Sequence, residues 1–168
     1  GGFINFKELQ KINKPIVWTI HGSFPFTGIC HHLLCEKYKT RCGACPALGS
    51  DKKYDFSTEN FELKRKRYTK LDFHIVSPSR FMADRAKESA LLGNRPIHVI
   101  PNGINTVTFS PIDKQIARGE LEIPNKKTIV FGAYRATTDE NKGFKYLLEG
   151  LKKLKEYYES HEIQILIF

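Results

Sequence analysis

An α/β fold with parallel sheets in two domains is what the chain predicts, and three observations carry it. Short β-branched and aromatic runs at 15–20, 73–77, 97–100 and 128–132 have strand length and close on or beside Gly or Pro, and a fifth lies at 163–168. Longer segments with apolar residues at helical spacing separate them. The strand–helix–strand order over 128–168 is a βαβ unit, which packs as a parallel pair with a right-handed crossover.

The run at 15–20 reads as a buried strand ending in the turn His21-Gly22. Residues 23–55 hold all four cysteines, several Gly and Pro and little periodicity, so this long irregular insertion needs a stabiliser. A helix is expected over 59–71 and a strand over 73–77. Ser79 follows as an N-cap for a helix with Phe81, Met82, Ala86 and Ala90 on one side, broken by Gly93-Asn94-Arg95-Pro96. The strand 97–100 ends in Pro101-Asn102-Gly103, where a domain boundary is placed. The first domain is thus 1–103, with the Cys-rich insertion at 23–55, and the second 104–168. After a short helix over 113–121 and the stop Ile123-Pro124-Asn125, the pattern restarts with the strand 128–132. A loop over 133–142 leads into a helix from Gly143, with Phe144, Leu147, Leu148, Leu151, Leu154 and Tyr158 at helical spacing. A sheet of two strands does not stand alone, so the expectation is a chain cut inside its second domain.

Composition narrows the function classes. With 40% apolar and 12% aromatic residues, the 168-residue chain is neither disordered nor of low complexity. No apolar run approaches the roughly 20 residues of a membrane-spanning helix. The opening Gly1-Gly2-Phe3 shows no signal-peptide pattern and no Asn-x-Ser/Thr sequon occurs, so the expected location is the cytoplasm. The 27 Lys and Arg against 18 Asp and Glu give a formal charge of +9, compatible with nucleic acid, anionic lipid or a phosphorylated substrate. Lys64-Arg65-Lys66-Arg67 with Lys70 forms one basic cluster and Lys152, Lys153 and Lys155 another; as ordinary helix faces, both would be solvated.

Three constellations carry chemistry. Cys30, Cys35, Cys42 and Cys45 fall within sixteen residues, the last pair as Cys42-Gly43-Ala44-Cys45, a turn that lets two thiolates converge on one metal. A closed four-thiolate zinc site would be structural, with His31 or His32 as substitute ligands; free thiols and disulfides are the alternatives. The loop after strand 128–132 holds Arg135 and Lys142 before the helix start at Gly143, at the carboxyl end of a strand, where two cations suit a diphosphate. Neither a Gly-x-Gly-x-x-Gly nor a Gly-x4-Gly-Lys-Ser/Thr motif occurs, which disfavours NAD and P-loop chemistry. His21 ends a strand at a cleft edge, whereas His74 and His98 read as core or sheet-face residues without a role.

Trp18-Thr19-Ile20-His21, Phe26-Thr27-Gly28-Ile29-Cys30-His31, Cys42-Gly43-Ala44-Cys45-Pro46, Ile75-Val76-Ser77-Pro78-Ser79, Val99-Ile100-Pro101-Asn102-Gly103-Ile104 and Lys142-Gly143-Phe144 stand in an order that resembles GT-B glycosyltransferases of family 4. Within that family the resemblance is to colanic-acid and other exopolysaccharide enzymes. It implies two Rossmann-like domains, the first binding an acceptor and the second a nucleotide-sugar. It also implies a retaining hexosyltransferase-type transfer to a saccharide or lipid-linked acceptor, without a catalytic metal and without nucleic acid as partner. By resemblance, His21 stands beside the donor sugar as the catalytic candidate, while Gly132, Arg135, Lys142 and Gly143 face the donor. The chain departs from the family pattern at Gly22, at Asn105 and at Ala133, where an arginine directly follows the glycine in relatives. The family's Glu-x7-Glu pair does not occur within the 168 residues, so the chain by itself is expected to be inactive. The basic helix 59–71 is expected to rest against anionic lipid at the inner face of the membrane. A zinc-stabilised basic nucleic-acid-binding module and a nucleotide-sugar epimerase are the alternative functions.

Overall fold

A computed structural model describes the backbone of residues 6–168, and the side chains of these except 6, 7, 158 and 160. The opening Gly1-Gly2-Phe3 and the place of the Tyr158 side chain on its helix lie outside the described residues. The chain forms two compact units, one ending at Ile104 and the other spanning Asn105–Phe168.

In the first unit, a short helix α1 (Phe6–Leu9) precedes strand β1 (Ile16–Thr19), which pairs in parallel with β2 (Phe73–Ser77), itself parallel to β3 (Ile97–Val99). The register sets Trp18 beside Ile75 and Val76 beside His98. Strand β1 alternates half-buried and exposed residues, and Val17 is 67% exposed, because its side chain stands on the sheet face opposite the packed core. This corrects the expectation of a fully buried strand. The insertion between β1 and β2 is held by three single 3-10 turns, Phe24–Phe26, Lys37–Lys39 and Pro46–Leu48.

Helix α2 (Phe56–Tyr68) begins and ends three residues earlier than its periodicity indicated. Asp55 is the reason: its carboxylate accepts from the amides of Ser57 and Thr58 while the Thr58 hydroxyl accepts from the Asp55 amide, a reciprocal cap. The stripe Ser57, Phe61, Lys64 and Tyr68 faces inward. Helix α3 (Arg80–Lys87) is capped as expected, Ser79 Oγ accepting from the Met82 amide at 3.3 Å. Its inward residues are Ala83 and Ala86, however; Phe81 and Ala90 are exposed. The core gathers Phe26, Tyr38, Phe61, Tyr68, Phe73, Ile75 and Leu92. Tyr68 packs edge-on against Phe73, with ring centroids 5.3 Å apart, and its hydroxyl donates to the Pro25 carbonyl at 2.8 Å.

The second unit contains α4 (Lys114–Glu120), capped by Asp113, then β4 (Thr128–Phe131), α5 (Phe144–Lys153), α6 (Lys155–Ser160) and β5 (Gln164–Ile167). Strands β4 and β5 pair in parallel, Val130 opposite Leu166, so the βαβ unit forms as expected. The expected single helix is interrupted at Leu154, whose amide donates to both Gly150 and Leu151 carbonyls.

Candidate functional site

Strand β1 runs out at Thr19, and the Ile20 amide still donates to the Val76 carbonyl at 2.8 Å, carrying the sheet one residue further. His21 and Gly22 then leave the sheet at the carboxyl end of a parallel strand, where α/β folds open their binding crevices. A cavity of about 540 Å³ opens there, with Trp18, His21, Gly22, Phe24 and His31 among its lining residues. Gly22 lies close under His31: a Cβ at Gly22 would sit 3.4 Å from the His31 carbonyl. The Ser23 amide donates to that same carbonyl, and His31 stacks on Phe24 with centroids 5.6 Å apart. The cavity thus holds two exposed imidazoles and an indole, a polar edge on an apolar wall. His31 was considered from sequence only as a metal ligand; its place in the cavity depends on the insertion folding back onto β1.

In the second unit, Arg135 and Lys142 are exposed and sit around Asp139. Asp139 is held below the ordinary carboxylate range by the Asn141 amide and side chain, and further by Lys142 and Arg135. Arg135 has a left-handed φ of 56°, and Gly143 has φ 74° directly before α5. Gly132 lies against the Phe168 ring, 2.2 Å from where a Cβ would stand, so its lack of a side chain serves packing within this unit.

The four cysteines are all free and line one small cavity of about 10 Å³. The Cys30 pKa is pushed up to about 11 by burial and then by its neighbours Cys45, Cys42 and Cys35. Burial also raises Cys42, against the Gly28 amide, which donates to its sulfur at 3.2 Å. Among the described residues, no group of three or more His, Cys, Asp or Glu side chains forms a ready metal centre.

Lys64 overturns the solvated reading of its cluster. It is 1% exposed, and its ammonium donates to the carbonyls of Phe24 at 2.6 Å, Thr27 at 2.9 Å and Gly28 at 3.1 Å, over the Phe24 ring at 3.4 Å. Burial lowers its pKa to about 7, offset only by Cys42 and Cys30. Its position three residues from Phe61 and four from Tyr68 was the available signal. His74 and His98 stack on the sheet face, ring nitrogens 3.3 Å apart, consistent with a sheet-face reading.

Comparison with known proteins adds three findings. Residues 3–108 match Glycosyltransferase Family 4. Over 115 residues the chain is 32% identical to WcaC of Escherichia coli (strain K12), named as a colanic acid biosynthesis glycosyl transferase. That match takes in 62% of this chain and 28% of the relative, so the chain spans well under half of the relative's length. No solved structure matches it.

Proposed function

The chain belongs to glycosyltransferase family 4, and from that premise we propose that it serves a retaining glycosyltransferase of cell-surface polysaccharide synthesis. The donor is a nucleotide-sugar and the acceptor a saccharide or lipid-linked oligosaccharide. The observation that carries the reading is the His21-Gly22 turn at the carboxyl end of β1, over a cavity of about 540 Å³ in the size range of small-molecule sites. An acceptor sugar suits this cavity: Trp18 offers a flat apolar face and His21 and His31 offer hydrogen-bonding edges. His21 is the catalytic candidate. Gly132, Arg135, Lys142 and Gly143 are the donor-side candidates, with Lys142 opposing charge on the leaving diphosphate. The work is done in the cytoplasm or against the inner face of the membrane; among the described residues no helix is long and apolar enough to cross a membrane.

No Glu-x7-Glu pair occurs within these 168 residues, so binding rather than turnover is the informative measurement. Calorimetric titration with UDP-, GDP- and dTDP-sugars should show a donor whose affinity falls about 10-fold in Lys142→Ala, the loss of one charge-assisted contact. Titration with oligosaccharides should show an acceptor whose binding is lost in His21→Ala. A chain that binds neither class at millimolar concentration overturns the reading.

A further inference from the structure

We propose that Cys30, Cys35, Cys42 and Cys45 bind one structural Zn²⁺, and that the buried Lys64 ammonium is the counter-charge of the anionic centre this creates. The thiols come from three stretches of an insertion that contains no α-helix or strand. They meet at a cavity of about 10 Å³, which accommodates a bare ion and no substrate. Zinc held by thiolates at about 2.3 Å fills such a space and leaves no open coordination position, so the site would brace the loop rather than act on a ligand.

The surroundings fit a thiolate centre. Gly43 has φ 151°, and a Cβ there would stand 2.3 Å from the Lys53 carbonyl, so the turn between Cys42 and Cys45 requires glycine. Lys37 Nζ ties that turn down by donating to the carbonyls of Gly43 at 3.0 Å and Ala44 at 2.5 Å. The Gly28 amide already donates to Cys42 Sγ, the kind of outer contact that orients metal-bound sulfur. Gly28 is tightly seated, since a Cβ would fall 2.3 Å from the Ser57 carbonyl. Competing ligands are engaged elsewhere: Asp55 caps α2 and accepts from the Cys45 amide at 2.9 Å, and His31 stacks on Phe24.

Charge supplies the independent argument. Lys64 is buried among three carbonyls, and among the described residues no carboxylate pairs with it. An isolated buried ammonium is costly, and Lys64 reaches the cysteines through one residue: Gly28 accepts from its ammonium at 3.1 Å and donates its own amide to Cys42 Sγ at 3.2 Å. Four thiols binding Zn²⁺ release four protons and leave a centre of net charge −2, which supplies the missing anion. Among the described residues the thiols are not prearranged as a metal centre, so metal uptake would have to draw them together.

The test is the metal content of the chain purified under reductant from zinc-supplemented cells, with Co²⁺ exchanged in as an optical probe. About one zinc per chain, and cobalt spectra with thiolate charge-transfer and tetrahedral bands that disappear in Cys42→Ser, are expected. Less than about 0.1 zinc per chain together with no such spectrum overturns the site. Chelator competition then tests Lys64. Affinity for Zn²⁺ should fall about 10–100-fold in Lys64→Gln and be retained in Lys64→Arg. Unchanged affinity in Lys64→Gln, or equal loss in both variants, overturns the counter-charge role.

Discussion

Phe73 and Ile75 of β2 are sealed between neighbouring strands and the residues of α2 and the insertion, whereas Ile129 and Val130 of β4 remain 37% and 57% exposed. Both strands are short β-branched runs in parallel ladders, so strand propensity does not separate them. The difference lies in what covers them. In the first unit, a 13-residue helix, a second helix and a folded insertion bury twelve mutually packed residues. In the second, a strand pair has α5 and α6, neither with a buried residue among those described, and Ala136 is the buried apolar residue. A two-stranded sheet lacks the apolar cover that gives a fold cooperative stability, whatever its local preferences.

This contrast is best broken by deletion of core volume. Phe61→Ala should cost about 3–5 kcal/mol in denaturant unfolding, because Phe61 is fully buried. Leu148→Ala in α5, at a 41% exposed position, should shift the same transition by less than about 0.5 kcal/mol. Comparable losses at the two positions would mean that both units share one cooperative core. Native-state hydrogen exchange sharpens the contrast residue by residue: amides of β2 should exchange only with global opening, and those of β4 and β5 by cheaper local opening.

Caps give a smaller and cleaner comparison. Ser79→Ala removes the acceptor of the Met82 amide and should cost about 1 kcal/mol. Asp113→Ala removes an equivalent cap from α4, a helix with no buried residue, and should leave the cooperative transition in place. The least effect is expected from acid. Asp55 is held well below the ordinary carboxyl value of 3.8 by the Ser57 hydroxyl and the amides of Cys45 and Thr58. Its folded pKa is depressed, so its contribution is complete above the ordinary value of 3.8 and is lost as pH falls from there through the folded pKa. Asp55→Asn, which keeps an acceptor at the cap, should flatten the acid limb of the stability profile. Asp139→Asn, at a carboxyl in the second unit that is also held low, should leave that limb unchanged.

Particular elements show what could be read without coordinates. Strand 73–77 and the Ser79 cap are found where expected, because alternation and an N-cap serine are local signals. Helix α2 was misplaced by three residues because its cap is Asp55 with Thr58, preceded by an insertion that offers no contrast. Phe81 was grouped with Met82, Ala86 and Ala90 on one side of α3, but it is Ala83 and Ala86 that are buried, and Phe81 is 62% exposed. In the candidate site, His21 was legible as the residue that ends a strand; His31 as its neighbour across the cavity was not.

The sequence by itself determined the order of strands and helices, the cysteine spacing, and the motifs that carry the family resemblance. All of these depend on residues a few positions apart, where side-chain periodicity and turn chemistry act. Tertiary structure alone decided that Lys64 turns inward, that it meets three carbonyls 36 to 40 residues away, and that four thiols share one cavity. Such neighbours are set by the path of the insertion. Burying a lysine ammonium requires partners that no local pattern supplies, and only the folded chain brings them within hydrogen-bonding distance.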